Sequence, residues 1–329
     1  MEIVKFNDGY LKDVVHLWNS SCGFEMPYKP FTEEGFKLKF INNPHFSYDG
    51  TFVCTDGGKV IGFANALFKK SFLPGETFEN TPGYITFVIV DKGYRCRGVG
   101  TALLKRAEGY LKNSGKKRSQ MDFFNPINLE WYIPGTDRHD HPNAPGVDID
   151  GPGYEFVKKN GYIERTREIS MYLDLKRFEI DESILKKKLE LKQSGIDIGY
   201  YDKSNHTDFD SLFDNLGNEL WRKEINDDLS REKPYPVLVA SKNGRICGFA
   251  GPISMEKSGR GLFSGIGVDP NCRGIGIGKV LFFMLCDSFR KEEVKFMSIF
   301  TGIDNRARKI YEAAGFKIVK TWALFRKEL

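Results

Sequence analysis

Two glycine-rich turns, each set between an apolar strand-like stretch and a helix-like stretch, constrain this sequence more than any other feature. One turn covers residues 272–278, after the stretch 262–268 and before the apolar run 279–290. The other covers residues 96–101 and follows the stretch 84–90. Glycine allows the backbone to approach a ligand closely, and the first N–H groups of a helix have no partner within that helix. The pattern therefore predicts two anion-binding turns.

These turns belong to two copies of one longer pattern. Residues 53–64 match residues 239–250 without a gap, and each segment contains a β-hairpin signal, Asp56-Gly57 in the first and Asn243-Gly244 in the second. Each copy then continues with a strand, the glycine turn and a helix. Repetition over this length indicates two domains of one fold, and 329 residues suffice to give each domain a hydrophobic core.

The spacing between the two copies is not constant. It is 176 positions at the glycine turns, where Gly98 is matched with Gly274, and 154 positions at the glycine–aromatic pairs that end the copies. The first copy is therefore predicted to carry an insertion in the proline-rich stretch 127–153. Three segments follow in chain order: a first domain at residues 1–175, a charged connecting segment at residues 176–195, and a second domain at residues 196–329.

The composition favours a globular protein with an anionic ligand. A net charge of +5 suits such a ligand but gives little support for nucleic-acid binding. The longest apolar run is too short for a membrane span, and the first residues do not resemble a secretory signal. The six cysteines are scattered without a C-x-x-C pair, which favours reduced thiols over disulfides or a zinc site. We therefore expect a cytoplasmic protein without a metal, nucleic-acid or membrane partner.

Several interpretations of the glycine turns compete. A P-loop needs G-x-x-x-x-G-K-[ST], but Arg273 stands at the first glycine and Val280 at the hydroxyl position. A dinucleotide fingerprint needs G-x-G-x-x-G early in its unit and a later acidic residue. Residues 274–278 have another spacing, and no acidic residue ends the stretch 296–300. A tight strand-to-helix turn without a ligand is the purely structural alternative.

A later segment narrows the choice. The turn pattern Q/R-x-x-G-x-G/A is met by residues 95–100, and by residues 271–276 except that Asn271 stands at the Gln/Arg position. Residues Asn305 to Phe316 meet a second motif, which joins an asparagine, a Tyr-Glu pair and a Gly-Phe pair. By these motifs the chain resembles a tandem two-domain member of the GNAT superfamily of acetyl-CoA-dependent N-acetyltransferases.

The resemblance implies a fold of the α/β (α+β) class, with two tandem GNAT-like domains. Each would be a mixed central sheet flanked by helices, in which two central strands splay apart to admit the pantetheine arm of coenzyme A. In the second copy these strands would be residues 262–268 and 296–300.

The resemblance also implies roles for individual residues. Tyr311 would protonate the departing thiolate, and the N–H group of Val268 would polarise the thioester carbonyl. The structural alternative for Tyr311 is a core aromatic residue on a helix. The implied coenzyme A contacts are, in the second copy, Ile266, Gly267, Val268, Cys272, Arg273, Gly274, Ile275, Gly276, Ile277 and Asn305, and in the first copy Val88, Ile89, Val90, Cys96, Arg97, Gly98, Val99, Gly100 and Thr101.

The first copy departs from the family pattern. Val157 stands opposite Tyr311, and Gly151 stands opposite Asn305. Tyr154 lies one turn from the Val157 position, and we do not assign it the acid role. The first copy would therefore bind acetyl-CoA without turnover, use another acid, or serve only as structure.

The sequence leaves more than one choice for the role of the insertion and for the identity of the general base. The insertion contains Glu130, Asp137, Asp140, Asp148 and Asp150 against Arg138, so it could receive a cationic amine or be a solvated or packing loop. Two histidines around Asp140, at i and i+2, are typical of polar loop residues rather than of a metal site. Glu219 and Glu224 are candidates for the base.

Three functional hypotheses follow. The favoured one is an enzyme that transfers acetyl from acetyl-CoA to a small-molecule or peptide amine, with the chemistry in the second copy. The second is an acyl-CoA sensor or scaffold with little or no catalysis. The third, a dinucleotide oxidoreductase, is disfavoured by the glycine spacing.

Overall fold

The computed structural model describes residues 1–22 and 26–329. By contacts the chain forms two compact units. Unit 1 consists of Met1–Ser170, Phe300–Ile303 and Val319–Leu329, and unit 2 consists of Met171–Ile299 and Asp304–Ile318. The contacts thus group the C-terminal residues with the first copy, and the division in chain order at residues 175 and 196 stays a prediction about the sequence copies. Within the described residues, no helix combines the length and the apolar character needed to cross a membrane.

The first part of the chain alternates strands and helices. The first helix buries apolar residues on one side, and a threonine cap precedes the second helix, where Thr32 Oγ1 accepts the Gly35 N–H group at 3.0 Å. The elements are β1 (Glu2–Lys5), α1 (Leu11–Ser21), α2 (Glu33–Phe36), β2 (Thr51–Asp56), β3 (Lys59–Phe68), β4 (Gly83–Val90), α3 (Val99–Asn113), β5 (Arg118–Met121), β6 (Trp131–Tyr132), β7 (Asp140–His141), β8 (Val147–Asp148), α4 (Gly153–Lys159) and β9 (Ile163–Asp174).

The sheet of unit 1 has a mixed pairing that opens at its centre. Strands β1 to β4 are antiparallel neighbours, whereas β4 and β5 are parallel. The parallel pair is formed at Gly83–Ser119 and Tyr84–Gln120, while β4 continues to Val90 and β5 ends at Met121. The two central strands therefore diverge.

Hydrophobic clusters cover the sheet of unit 1 on both faces. Helix α1 contributes Trp18 to one cluster, with Phe36, Phe40 and Phe63. Helix α3 contributes to the other cluster with Leu103, Leu104, Ala107 and Leu111. These apolar side chains recur at helical spacing, which explains why the helices form and which side they bury.

A strand from the C-terminus completes unit 1. This strand, β17 (Lys317–Glu328), pairs antiparallel with β5 from Phe325–Met121 to Glu328–Arg118. It also pairs with β8 of the insertion, at Trp322–Asp148. Trp322 is fully buried, its ring lies 5.1 Å from that of Trp131, and its Nε1 donates to Ser170 Oγ at 2.9 Å. The insertion is therefore packed structure rather than a solvated loop.

Unit 2 repeats the pattern with its own helices and strands. An aspartate cap starts its first helix, where the Asp181 side chain accepts the Ser183 N–H group. The elements are α5 (Glu182–Gln193), β10 (Ile196–Tyr200), α6 (Phe209–Leu216), α7 (Glu219–Leu229), β11 (Leu238–Lys242), β12 (Arg245–Gly251), β13 (Ser254–Met255), β14 (Arg260–Leu262), β15 (Gly265–Val268), α8 (Ile277–Lys291), β16 (Phe296–Gly302) and α9 (Arg308–Ala313).

The central strand of unit 2 is broken, which corrects the single strand predicted over residues 262–268. Strand β14 pairs parallel with β16, whereas β15 is the last strand of the antiparallel order β10-β11-β12-β15. Between them, the Ser264 N–H group donates to the Gly251 carbonyl at 3.2 Å. The Trp221 indole lies 2.4 Å from the position of a Cβ atom on Gly265, so only glycine fits there. Mixed, splayed sheets flanked by helices confirm the predicted fold class.

Replacing Trp322 with alanine should destabilise unit 1 strongly. The variant leaves a cavity and removes the hydrogen bond to Ser170, so we expect the free energy of unfolding to fall by about 3–5 kcal/mol. Ile318→Ala, on the same strand but 42% exposed, is the matched control and should change it by less than about 1 kcal/mol. Urea unfolding followed by circular dichroism measures both, and an equal small effect would show that the C-terminal strand does not belong to this core.

Candidate functional site

The backbone conformations of the two glycine turns correspond in a register that differs by two residues from the one taken from the sequence. Helix α3 begins after Gly98 and α8 begins after Gly276, and these glycines have φ angles of 83° and 98°. Two positions earlier, Cys96 and Gly274 also have positive φ. Gly98 therefore corresponds to Gly276, and the sequence-based match of Gly98 with Gly274 is wrong.

An arginine in each turn confirms this new register. Arg95 Nε donates to the carbonyl of Val90 at 3.1 Å, and Arg273 Nε donates to the carbonyl of Val268 at 2.9 Å. Each guanidinium thus ties its turn to the end of the preceding strand. Arg273, rather than Asn271, stands at the Gln/Arg position, so both turns meet the complete pattern R-x-x-G-x-G.

The strand before each turn presents backbone groups on an outer edge. The Asp269 N–H group donates to the Cys247 carbonyl at 2.9 Å, and Asp91 donates to Ile61 at 2.8 Å in the same way. Because alternate residues of an antiparallel strand point their N–H groups to opposite edges, those of Ile266 and Val268 face away from β12. The N–H group of Gly267 faces β12, so the predicted contact of this residue is not at the outer edge.

The helix beginnings carry backbone N–H groups that have no partner within the helix and could hold an anion. Helices α3 and α8 have 15 residues each, and their first N–H groups belong to residues 99–101 and 277–279. The N–H groups of Cys272 and Arg273 donate instead to the carbonyls of Asp269 and Pro270. In unit 2 the backbone N–H groups available to an anion are therefore those of residues 274–279, two residues beyond the predicted set.

A cleft of about 490 Å³ opens at the diverging strands of unit 1. Of the nine coenzyme A contacts predicted in the first copy, seven line it, namely Val88, Ile89, Val90, Cys96, Gly98, Gly100 and Thr101. Arg97 lies over the Tyr94 ring at 5.4 Å, and Val99 is buried against Gly62. The size is typical of a small-molecule site.

The two copies differ at the predicted acid. The Tyr162 N–H group donates to Val157, and the Phe316 N–H group donates to Tyr311, so Val157 and Tyr311 hold the same position. The Tyr311 ring lies 4.7 Å from the Phe282 ring of α8, and burial raises the pKa of its phenol. Val157 lines the cleft of unit 1, where it has no proton to give.

Two other predicted positions have local partners. The Asn305 side chain accepts the Ala307 N–H group at 2.9 Å, so it caps the turn before α9, and its contact with the cofactor arm stays a prediction. Tyr154 Oη donates to Glu164 at 2.6 Å, which supports leaving Tyr154 without the acid role.

The two candidates for the general base, Glu219 and Glu224, have different surroundings. Glu219 pairs with Arg222 at 3.1 Å. Glu224 is half-buried on α7, close to Ser264 at the break between β14 and β15, and burial raises the pKa of its carboxyl group. A carboxylate with a raised pKa beside the splayed strand is the better proton acceptor.

The acidic residues of the insertion are largely neutralised. Glu130 pairs with Lys29 and Lys39 at 3.1 and 3.0 Å, and Asp148 pairs with Lys320 at 2.7 Å. Its histidine ring at position 141 packs 6.0 Å from the Trp131 ring. In residues 1–22 and 26–329, no three His, Cys, Asp or Glu side chains are grouped to hold a metal ion.

The sequence did not single out Asp122, which also lines the cleft of unit 1. It directly follows β5 and accepts the Phe124 N–H group at 3.0 Å, while burial raises its pKa to about 6. Strand β5 ends at Met121, which places Asp122 at the strand end, where the diverging strands expose a side chain. This strand boundary is the signal that could have identified Asp122.

Comparison with known proteins agrees with this architecture. Residues 12–132 and 203–316 match the acetyltransferase (GNAT) family. These two matches cover most of the chain, and the protein therefore belongs to the acetyltransferase (GNAT) family as a tandem member. Membership supports acyl transfer as the general activity. A search of curated proteins found no match.

Solved structures with the same fold have low sequence identity to this chain. One is the GCN5-related glucosamine N-acetyltransferase region of a fungal multi-domain GH3 β-N-acetylglucosaminidase, with TM-score 0.70 and 17% identity, over 99% of this chain but only 38% of that one. A second is a GCN5-related N-acetyltransferase from Sphaerobacter thermophilus, with TM-score 0.63 and 15% identity over 99% and 95% of the two chains. A third is a tandem GNAT protein from the clavulanic acid biosynthesis pathway, with TM-score 0.57 and 16% identity over 99% and 98%. At these identities the similarity shows the fold alone.

Replacing Asp122 with asparagine should flatten the pH dependence of stability. With its pKa raised from about 4 to about 6, the folded chain binds more protons than the unfolded chain between these values. The free energy of unfolding contributed by this group therefore falls as the pH rises through that window. Relative to the native protein, the variant should gain about 2 kcal/mol between pH 4 and pH 7. Urea unfolding across this range tests it, with the exposed Asp137→Asn as control, and parallel profiles for native protein and Asp122→Asn would contradict it.

Proposed function

We propose that this protein transfers an acetyl group from acetyl-CoA to a primary amine of a small molecule or peptide, with the chemistry in unit 2. The observation that carries the proposal is the combination, within unit 2, of a complete glycine turn, an outward-facing strand edge and Tyr311. The first copy has the turn and the edge but has Val157 in place of the tyrosine.

The backbone of unit 2 fits coenzyme A. The outward groups of Ile266 and Val268 would pair with the amides of the pantetheine arm as an added strand does. The N–H groups at the beginning of α8, supported by the helix dipole, would hold the pyrophosphate. None of the described residues has an atom within 4 Å of the position that a Cβ atom on Gly274 would take, so the backbone there is open to approach.

Different groups of unit 2 would carry out the separate steps of the reaction. Bound acetyl-CoA would supply an activated thioester. The N–H group of Val268 would donate to the thioester carbonyl oxygen, and Glu224 would accept the proton that the amine must lose before it can attack. The phenol of Tyr311 is protonated at neutral pH, since the ordinary pKa of tyrosine lies well above neutrality and burial raises it further, so Tyr311 has a proton to give to a thiolate leaving group.

A second function, binding without transfer, is favoured for unit 1. Its cleft is lined by the predicted coenzyme A contacts, but Val157 replaces the acid. Unit 1 would then hold acyl-CoA as a sensor or stabilising site. The two copies would thus share a ligand and differ in chemistry.

Replacing Tyr311 with phenylalanine should lower kcat by about 100-fold, because the variant removes only the acid hydroxyl. The KM for acetyl-CoA should change little, since the turn and strand edge are intact. Tyr154→Phe on the corresponding helix of the first copy is the matched control and should change kcat less than about twofold. The measurement is steady-state acetyl transfer over a panel of amines at pH 6–9. An unchanged kcat across this range would reject the acid role.

Glutamate substitutions in the two turns should separate the two cofactor sites. Titration calorimetry with coenzyme A should find two sites in the native protein and one each in Gly98→Glu and Gly276→Glu, because the carboxylate repels the pyrophosphate. Only Gly276→Glu should lose acetyl transfer. Gly195→Glu, which also lies at positive φ and has no described atom within 4 Å of its Cβ position, controls for backbone strain. Loss of transfer in Gly98→Glu alone would reverse the assignment of the active copy.

A further inference from the structure

The cleft of unit 1 extends past the glycine turn into a second compartment. Its walls come from α1, the following segment, β4 and the insertion. The Trp18 ring lies 5.2 Å from the Phe87 ring and 5.6 Å from the Tyr28 ring. We call this compartment the aromatic chamber; it is lined by Trp18, Met26, Tyr28, Phe87, Leu129 and Ala144.

The chamber and the turn side of the cleft are built from different cores. The six chamber residues belong to the hydrophobic cluster that includes α1. On the turn side, Val90, Phe156 and Val157 belong to the cluster that includes α3. A ligand at the glycine turn would therefore leave the aromatic chamber available for a second molecule or group.

Asp122 differs from the other carboxylates of the cleft. Asp148 pairs with Lys320 at 2.7 Å, and Glu155 pairs with Lys158 at 3.2 Å. Asp122 accepts one backbone N–H group, from Phe124, and forms no ion pair with the residues of ranges 1–22 and 26–329. The Lys69 ammonium, which pairs with Glu76, acts on this carboxylate only through space, and burial still raises the pKa of the carboxyl group. A carboxylate withdrawn from water without a directly paired cation is costly, so a cationic ligand group would stabilise it.

Asp122 also lies at the point where the two central strands have diverged. It directly follows the last residue of β5, where β4 and β5 have diverged. Next to it, Asn125 Nδ2 donates to Thr86 Oγ1 of β4 at 3.2 Å, and both of these residues line the cleft. The carboxylate is therefore held at the gap between the strands, with the aromatic chamber on one side.

We propose that unit 1 binds a primary amine carried on an aromatic or branched apolar body, with the ammonium group at Asp122 and the body in the aromatic chamber. An ion pair in the narrowing cleft is stronger than one in water, and the chamber buries the apolar body. This inference rests on the proposed function only in assigning the turn end of the cleft to coenzyme A.

The site belongs to the first copy alone. Ser119 of the first copy and Met297 of the second each pair with the central strand, so these two residues correspond. The same register matches Asp122 with Phe300. Leu129 and Ala144 lie in the insertion that the second copy lacks. The two copies would therefore select different amines, or unit 1 would retain an amine that unit 2 acetylates.

Titration calorimetry with 2-phenylethylamine, on the full chain without coenzyme A at pH 7.5, tests the proposal. We expect an Asp122-dependent site, with affinity at least tenfold above that for ethylamine, because the ring occupies the chamber. Asp122→Asn, a substitution of equal shape, should weaken binding at least tenfold. Glu155→Gln changes a carboxylate that lines the same cleft but already has a lysine partner, and should bind as the native protein does.

Several results would overturn the proposal: no binding of 2-phenylethylamine, equal binding by an Asp122→Asn variant that keeps its coenzyme A affinity and its circular dichroism spectrum, or equal binding of ethylamine. A second variant, Ala144→Trp, should fill the aromatic chamber. It should weaken the binding of 2-phenylethylamine but not the binding of ethylamine. Tyr311-dependent acetyl transfer without amine binding in unit 1 would reject this inference and leave the proposed function standing. Asp122-dependent amine binding by a chain that binds no coenzyme A would support this inference and reject the proposed function.

Discussion

The site depends on a strand that loses its neighbour partway along its length. In unit 1, β4 pairs with β5 over two residues and then continues alone toward the glycine turn. In unit 2, the central strand breaks at residues 263–264, and β15 becomes the edge of its sheet. Backbone N–H and C=O groups at such an edge need partners, and a ligand with amide groups can supply them. The helix that starts at the end of the same strand adds a positive end to this edge.

The two copies share this scaffold and differ in the side chains placed around it. At the position of the predicted acid, one copy has Tyr311 and the other has Val157. At the end of the neighbouring central strand, one copy has Asp122 and the other has Phe300. The two copies therefore keep one backbone arrangement and place different side chains around it, so under our proposals they would take different roles.

Sequence motifs could predict the fold class, the repeat and the location of the turns, because these depend on local patterns of glycine and apolar residues. The register of the second turn was misplaced because Gly274 and Gly276 both satisfy the glycine spacing. The complete motif begins at Arg273 rather than at Asn271, and the φ angles and the hydrogen bond from Arg273 to Val268 establish that register. The place of β17 in unit 1 depends on pairing between the end of the chain and β5, which no local pattern encodes. Asp122 was missed because its significance comes from the strand boundary and the walls around it.

The central claim is that both glycine turns bind coenzyme A through backbone N–H groups. Hydrogen exchange measured by mass spectrometry, with and without coenzyme A, reports on those groups directly. The account predicts slower exchange at residues 96–101 and 274–279 when coenzyme A is bound, with little change in the hairpin at residues 239–250. Unchanged exchange at both turns, at coenzyme A concentrations that support acetyl transfer, would contradict it.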